Sequence, residues 1–382
     1  MKLSAAPASG RLEFLDIIRG AFILIMVEGH TLRALLDPTV QAGTIYRAQD
    51  LVHNLTGPVF LFASGAAFIY STRGRWEEYR HWGPKLRTRV GRWIALLVAG
   101  YGLQLSYGTL ERSLHETTPD QLSSLLSINS LQCIGLSLLL LQLVAYCAPD
   151  LRRFFRVAIF ALAAIALLTP FAWNIGQGAP LWLGSLISGR GTLSVFPLFP
   201  YTGFTLAGAA WGYLHSQARE QGREDGFLSR SIRWCALLTL VGFAIAALPL
   251  PEIYSDFWLT SPQFFLVRIG LLGLLATTMR GLEPKLLPRA RLLAVAGRES
   301  LLIYVVHLVI LFGTAFNPDT NLAKALGVGK SVVEAILVWL LFTGMLLLFA
   351  AMWNWWKQGR SWQVKGLRWT LACYLAYMFF VG

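Results

Sequence analysis

The chain has 382 residues, of which 55% are hydrophobic and 14% are charged, and its mean hydropathy is +0.54. Soluble domains have about a quarter of their residues charged and a smaller share of hydrophobic residues. This composition therefore excludes a soluble fold. The net charge of +13 does not indicate nucleic-acid binding, since the basic residues lie between apolar runs. The composition therefore predicts a protein embedded in a lipid bilayer.

Apolar runs of roughly 20 residues, the length of a bilayer-spanning helix, recur along the chain. The eleven predicted spans are 14–36, 52–72, 90–107, 122–147, 154–174, 194–215, 232–250, 262–279, 299–316, 331–354 and 367–381. The predicted fold class is all-α, a polytopic membrane helical bundle with about eleven transmembrane helices. The predicted organisation is an N-terminal tail of residues 1–13 and one transmembrane domain over residues 14–382.

Lysine and arginine are distributed unevenly over the loops. The five loops that follow even-numbered spans contain twenty-three of them, and the other five loops contain five. Because basic residues concentrate in cytoplasmic loops, we expect the N-terminal tail to be cytoplasmic.

The cysteines indicate neither a disulfide framework nor a metal site. All four lie in or beside apolar runs, and no two form a C-x-x-C pair. They are predicted to be free thiols, and no metal cofactor is expected.

The first span is unusual because it contains several charged residues, which are costly inside a membrane and therefore candidates for function. Arg19 and His30 are eleven residues apart, close to three helical turns, so they share one face at a separation of roughly 16 Å along the axis. Asp16 precedes Arg19 by three residues and is predicted to pair with it. A helix face with a cation, Arg19, at one end and an imidazole, His30, at the other suits an elongated anionic substrate.

Arg19 and His30, preceded by Leu15 and Asp16, resemble the R-x10-H signature of transmembrane acyltransferases, including acyltransferase family 3. Further stretches resemble bacterial relatives of heparan-α-glucosaminide N-acetyltransferase. These stretches are residues 57–65 (GPVFLFASG), 131–135 (LQCIG), 196–200 (FPLFP) and 300–307 (SLLIYVVH). The resemblance extends from residue 11 to about residue 310.

The resemblance implies an acyltransferase of the bacterial inner membrane. Acetyl-CoA would enter from the cytoplasm, and its acetyl group would pass to an amine or hydroxyl of a sugar or glycan on the other side. His30 matches the position of the catalytic histidine and Arg19 that of the motif arginine. One departure is Cys133, which stands where better-known relatives carry a basic residue.

Several further residues are candidates for this site. His307 is a second catalytic candidate, because it shares one face of its span with Ser300 and Tyr304; the alternative is a buried histidine bonded to a neighbouring helix. An imidazole can act as a base or carry the acetyl group itself, and the sequence leaves both routes open. Arg87, Arg89 and Arg92, with Arg19 held by Asp16, are predicted to bind the phosphates of CoA. The alternative is that their loop is basic only because it is cytoplasmic.

His53, Glu28 and Arg268 are candidates for binding the acceptor. For His53, which opens the second span, the alternative is an interfacial histidine without a role in the site. Glu28 and Arg268 are placed at matching depths by their positions in the first and eighth spans, so a structural ion pair between them is the first expectation. Acceptor binding is the alternative. The remaining histidines, His81, His115 and His215, lie in or beside predicted loops and are expected to carry no chemistry.

The competing function is a transporter or flippase for an anionic or lipid-linked substrate. In such a transporter, the charged residues of the first span and Arg268 would line the path of the substrate across the membrane. Such proteins contain paired repeats or broken helices, and the sequence shows no internal repeat. A homodimer is left open.

Overall fold

The computed structural model describes residues 12–254 and 256–381. The first eleven residues of the predicted tail lie outside the described residues. Within the described part the chain is helical and forms no β-sheet; an isolated bridge joins Leu36 to Lys330.

The helices of the described residues are numbered in chain order. They are α1 (Glu13–Leu35), α2 (Pro38–Gln41), α3 (Thr44–His53), α4 (Thr56–Thr72), α5 (Pro84–Gln104), α6 (Leu110–His115), α7 (Pro119–Leu126), α8 (Ser130–Cys147), α9 (Leu151–Gln177), α10 (Leu181–Ile187), α11 (Leu198–Glu220), α12 (Glu224–Ala246), α13 (Pro262–Leu286), α14 (Arg291–Arg298), α15 (Ser300–Phe312), α16 (Leu322–Leu326), α17 (Val332–Gly359) and α18 (Ser361–Val381). Short 3₁₀ turns cover Arg73–Arg75, Glu77–Tyr79 and Glu252–Tyr254.

Six helical segments of the described chain are long and apolar enough to cross a membrane. They are Thr44–Arg75, which contains α3 and α4, and the helices α8, α9, α12, α13 and α17. The pair α14 and α15, bent by 74°, would be a seventh. The chain is therefore an all-α membrane helical bundle, as predicted. The total of eleven spans stays a prediction; α1 is outside the six because it carries five charged residues.

Two predicted spans are shorter than expected. The span predicted over 122–147 begins at Ser130, because α7 ends at Leu126 and the Gln104 side chain donates hydrogen bonds to the carbonyls of Ser124 (2.7 Å) and Ser127 (3.1 Å). The span predicted over 299–316 ends at Phe312, since Gly313 has a φ of +79° and stops the helix there.

Helices α4 and α11 approach each other through small residues. A Cβ atom on Gly65 would lie 1.9 Å from the carbonyl oxygen of Thr205, and one on Gly208 would lie 1.9 Å from the carbonyl oxygen of Phe62. Only glycine permits this backbone contact, which is a common way of packing helices in membranes. The contact fixes the α4 stretch that resembles the acyltransferases.

Helix α1 is held against α14 in the same way. A Cβ atom on Gly20 would lie 1.9 Å from the Leu293 carbonyl oxygen, and one on Gly297 would lie 1.7 Å from the Asp16 carbonyl oxygen. The two glycines therefore position the part of α1 that carries Arg19.

Candidate active site

Two histidines from distant parts of the chain meet between α1 and α15. The Nδ1 atom of His30 lies 2.9 Å from the Nε2 atom of His307, and the two rings stack with their centroids 5.1 Å apart. His307 is fully buried and His30 is half-buried. The structure thus brings the two predicted catalytic residues into direct contact.

The hydrogen bonds determine the tautomer of each ring. The Nδ1 atom of His307 lies 3.0 Å from the carbonyl oxygen of Ile303, and since a carbonyl only accepts, this nitrogen donates. A neutral imidazole has one N–H, so the Nε2 atom of His307 accepts, and the Nδ1 atom of His30 donates to it. The Nε2 atom of His30 therefore carries a lone pair. The arrangement gives His30 a basic nitrogen whose ring is oriented by His307.

Aromatic rings close around the histidine pair. The ring centroid of Tyr304 lies 5.6 Å from that of His307, and the ring centroid of Phe312 lies 5.9 Å from that of His30. Both contacts are edge-on. Tyr304 and Phe312 also line a cavity of about 200 Å³, and they are its contact with the histidine pair.

A cavity of about 630 Å³ lies toward the Arg19 end of α1, and we call it the basic cavity. Its lining includes five basic residues, which are Arg19, Arg75, Lys85, Arg89 and Arg92. The structure therefore brings together Arg19, Arg89 and Arg92, which the sequence predicted to bind phosphates, whereas Arg87 does not line this cavity. It adds Arg75 and Lys85, which the prediction did not include.

The guanidinium of Arg89 is held firmly at this cavity. Its two Nη atoms donate to the hydroxyls of Thr72 (2.7 Å) and Ser71 (2.6 Å), and its Cζ atom lies 3.6 Å from the ring centroid of Tyr79. At the start of α5, Lys85 donates to Glu78 at 2.8 Å, which holds the pKa of the Glu78 carboxyl below its ordinary value. The basic groups are thus partly oriented by their neighbours.

Arg19 lies where the basic cavity meets a second cavity. Its Nη1 atom is 3.7 Å from the Oδ1 atom of Asp16, which confirms the predicted pair, and its Nη2 atom donates to the Ala63 carbonyl at 3.1 Å. Arg19 and Ser64 line both the basic cavity and a second cavity of about 170 Å³, the middle cavity. The middle cavity is mostly apolar and is otherwise lined by Ile23, Met26, Phe60, Leu96, Ser130, Leu131, Ile134, Ser300, Leu301 and Tyr304.

A third cavity of about 200 Å³ shares Leu131 and Tyr304 with the middle cavity, and Phe312 lines it too. Its polar lining comes from three amides, Gln104, Asn129 and Gln132, so we call it the amide cavity. Through these shared residues the three cavities form a row from the basic residues to Tyr304 and Phe312, whose rings contact the histidine pair. Sequence reasoning missed the three amides, because isolated amides in apolar spans are a weak signal.

Three of the four stretches that resemble the acetyltransferases line this row. Residues 57–65 contribute Phe60 and Ser64, residues 131–135 contribute Leu131, and residues 300–307 contribute Tyr304. The family model for the catalytic region of heparan-alpha-glucosaminide N-acetyltransferase matches residues 11–244. The chain belongs to this family. A search of curated proteins gives no match.

The match makes the chain a member of a membrane acetyltransferase family and confirms the resemblance to relatives of heparan-α-glucosaminide N-acetyltransferase. The matched region contains Arg19, His30 and the arginines of the basic cavity. His307 and Tyr304 lie beyond it. In this member of the N-acetyltransferase family, the candidate site is therefore completed by residues outside the matched region.

The prediction of an ion pair between Glu28 and Arg268 is wrong. The Oε2 atom of Glu28 lies 3.2 Å from the Nε2 atom of His53, and Glu28 also accepts from Gln49. Helix α3 folds back along α1 and so supplies nearer partners. Arg268, which is 7% exposed, instead lies over the ring of Phe264, with its Cζ atom 4.1 Å from the centroid.

The predicted acceptor-binding residues do not line the amide cavity. Glu28 lines a separate, mostly apolar cavity of about 710 Å³ between α1, α3 and α17. His53 packs against Gly29, where a Cβ atom would lie 3.0 Å from its ring. A role for His53, Glu28 or Arg268 in acceptor binding stays a prediction.

His215 was expected in or beside a loop, but it lies within α11 and is fully buried. Its Nδ1 atom is 2.5 Å from the Tyr70 hydroxyl, and its Nε2 atom is 2.8 Å from Glu224, which also accepts from Arg280 at 2.7 Å. These side chains link α4, α11, α12 and α13. The network of this acetyltransferase-family chain therefore joins helices outside the row of cavities, and its Tyr70 also lines a separate cavity of about 420 Å³.

Proposed function

We propose that the chain is an integral-membrane acyltransferase. It moves an acetyl group from cytoplasmic acetyl-CoA to an amine or hydroxyl of a sugar or glycan on the extracytoplasmic side. The observation that carries this proposal is the hydrogen-bonded pair of His30 and His307, which contacts Phe312 and Tyr304 at one end of a row of cavities whose other end is basic.

The row matches the chemistry of acetyl-CoA from one end to the other. The phosphates would bind in the basic cavity, where Arg19, Arg89 and Arg92 offer guanidinium groups that pair with phosphate oxygens. The pantetheine arm is linear and has few charges, which suits the narrow, mostly apolar middle cavity. The thioester would then reach the histidine pair.

His30 is the proposed general base. Its Nε2 atom takes the proton from the acceptor hydroxyl or amine as the acceptor oxygen or nitrogen attacks the thioester carbonyl carbon. The carbon–sulfur bond breaks, and the departing sulfur takes that proton, so CoA leaves as its thiol. His307 accepts the hydrogen bond from the Nδ1 atom of His30 throughout and stabilises the transient positive charge on that ring.

A transporter or flippase is the second candidate, and one observation favours it. The α14–α15 pair is bent by 74°, and broken helices are typical of transporters. The cavity row would then be a substrate path. The two functions differ in whether a covalent bond is made, so one experiment separates them.

The proposal includes the organisation predicted from the sequence. The N-terminal tail would be cytoplasmic, residues 14–382 would form one transmembrane acyltransferase domain, and the protein would reside in a bacterial inner membrane. The alternation of basic residues between loops supports this orientation.

The test is the transfer of radiolabelled acetyl from acetyl-CoA by purified protein in lipid nanodiscs, with glucosamine and methyl glucoside as acceptors. Wild-type protein is expected to bind acetyl-CoA and label an acceptor. The His30→Ala variant should bind acetyl-CoA equally well and transfer at least about 100-fold more slowly. Wild-type protein that binds no acetyl-CoA would refute the proposal and favour transport.

A further inference from the structure

The amide cavity has polar but uncharged walls. Its described lining consists of Gln104, Asn129 and Gln132 together with apolar residues, glycines and Tyr304, and none of these is charged at neutral pH. The cavity volume of about 200 Å³ leaves room for one small polar molecule, such as a single sugar ring.

Part of the hydrogen-bonding capacity in this cavity is unused. Gln132 is fully buried and donates through Nε2 to the Oε1 atom of Gln104, but its own Oε1 atom has no partner. The side chain of Asn129 does not cap α8, although Asn129 occupies the N-cap position. A buried amide oxygen without a partner costs free energy, which a ligand O–H group would recover.

Two aromatic rings of the cavity wall connect it to the histidine pair. Phe312 and Tyr304 line it, and their rings contact those of His30 and His307. A molecule in the amide cavity would therefore contact the two rings that touch the histidine pair, at the opposite end of the row from the basic residues. This is the place that an acceptor needs during acetyl transfer.

The nearby carboxylate on α1 is directed elsewhere. Glu28 lies about 160° around the helix from His30, pairs with His53 and lines the separate apolar cavity. A primary ammonium in the amide cavity would thus be buried without a carboxylate partner, which is costly. A sugar hydroxyl is neutral and both donates and accepts, as the amides do.

We propose that the amide cavity is the acceptor subsite, that it takes an uncharged hydroxyl-bearing sugar, and that the chain makes acetyl esters rather than acetyl amides. This inference rests on the proposed acetyl transfer. The sugar O–H proton passes to His30, the sugar oxygen bonds to the acetyl carbon, the carbon–sulfur bond breaks, and the sulfur takes the proton from His30. The products are the O-acetyl sugar and the CoA thiol.

The experiment compares methyl β-D-glucoside with methyl β-D-glucosaminide, which differ only in a hydroxyl or amine at one ring carbon. Full-length protein in nanodiscs is given labelled acetyl-CoA, and the products are treated with hydroxylamine, which cleaves esters and leaves amides intact. Labelled products from both sugars are expected to be hydroxylamine-sensitive. A resistant product from the glucosaminide, with no transfer to the glucoside, would overturn the inference.

An Asn129→Asp variant provides an independent test with a matched control. It adds a carboxylate to the cavity at a helix N-cap, where a negative charge is favourable, so folding should be retained. The ratio of kcat/KM for amine over hydroxyl transfer should rise at least about tenfold. Asn129→Ser, which is neutral and also suits an N-cap, should leave the ratio unchanged.

The outcomes separate this inference from the proposed function. Equal ratios in the Asp and Ser variants would show that the cavity does not bind the reacting group, and would refute the inference alone. Protein that transfers acetyl only to the amine would also refute the inference alone. Protein that neither binds acetyl-CoA nor releases the CoA thiol would refute the proposed function and the inference with it.

Discussion

The Nδ1 atom of His30 donates a hydrogen bond to the Nε2 atom of His307 at 2.9 Å, although the two residues are 277 positions apart. The contact requires α1 and α15 to pack side by side, with each histidine facing the other. Because the Nδ1 atom of His307 donates a hydrogen bond to the Ile303 carbonyl, the Nε2 atom of His307 must accept the one from His30. His30 is thus left with its Nε2 lone pair for chemistry.

Replacing His307 should slow transfer without removing the base. In His307→Leu, His30 loses the acceptor that fixes its tautomer and stabilises its charge, so kcat should fall about 100-fold. In His307→Gln, the amide oxygen can still accept from His30, so the loss should be at most about tenfold. Acetyl-CoA binding, measured separately, should be the same in both variants. Equal kcat values for the two would mean that the hydrogen bond has no role.

Removing a basic side chain from the basic cavity should weaken binding of the CoA phosphates specifically. Arg92→Ala is expected to raise the Kd for acetyl-CoA about five- to tenfold, because it removes a charged hydrogen-bond donor. Arg87→Ala is the matched control, since Arg87 is an exposed arginine on the same helix that does not line the cavity.

The same two variants should behave alike with S-acetylpantetheine, which lacks the nucleotide. Its kcat/KM should be unchanged in Arg92→Ala if the arginine binds phosphate. A parallel loss with both donors would indicate that Arg92 supports the fold of this region instead.

A methyl group at the contact between α4 and α11 should destabilise the protein. In Gly65→Ala the new Cβ would lie 1.9 Å from the Thr205 carbonyl oxygen, so the helices must separate, at a cost of about 1–3 kcal/mol. Gly102→Ala in α5 meets nothing within 4 Å and should keep or raise stability. Thermal unfolding in nanodiscs measures both, and a Tm for Gly65→Ala at or above wild type would contradict the packing described for α4.

Glu28→Gln should affect stability more than acceptor binding. The carboxylate pairs with His53 and lies on the far side of α1 from the proposed base, so its loss should lower the Tm by a few degrees. The KM for a sugar acceptor should stay within about twofold of wild type. A larger rise in KM would instead support the acceptor-binding role predicted from the sequence.

The properties that the sequence alone determined depend on local spacing. Apolar runs of bilayer length fixed where most helices lie, and the 3.6-residue period placed Arg19 and His30 on one face of α1. The Asp16–Arg19 pair was predictable for the same reason, because its members are three residues apart within one helix.

Tertiary structure decided which residues meet across helices. It selected His307 from among the other histidines as the partner of His30, gave Glu28 to His53 rather than to Arg268, and gathered three amides around one cavity. Spacing along one helix contains no information about the rotation and crossing angle of its neighbours. Those depend on long-range packing, such as the glycine contacts of α1 with α14 and of α4 with α11.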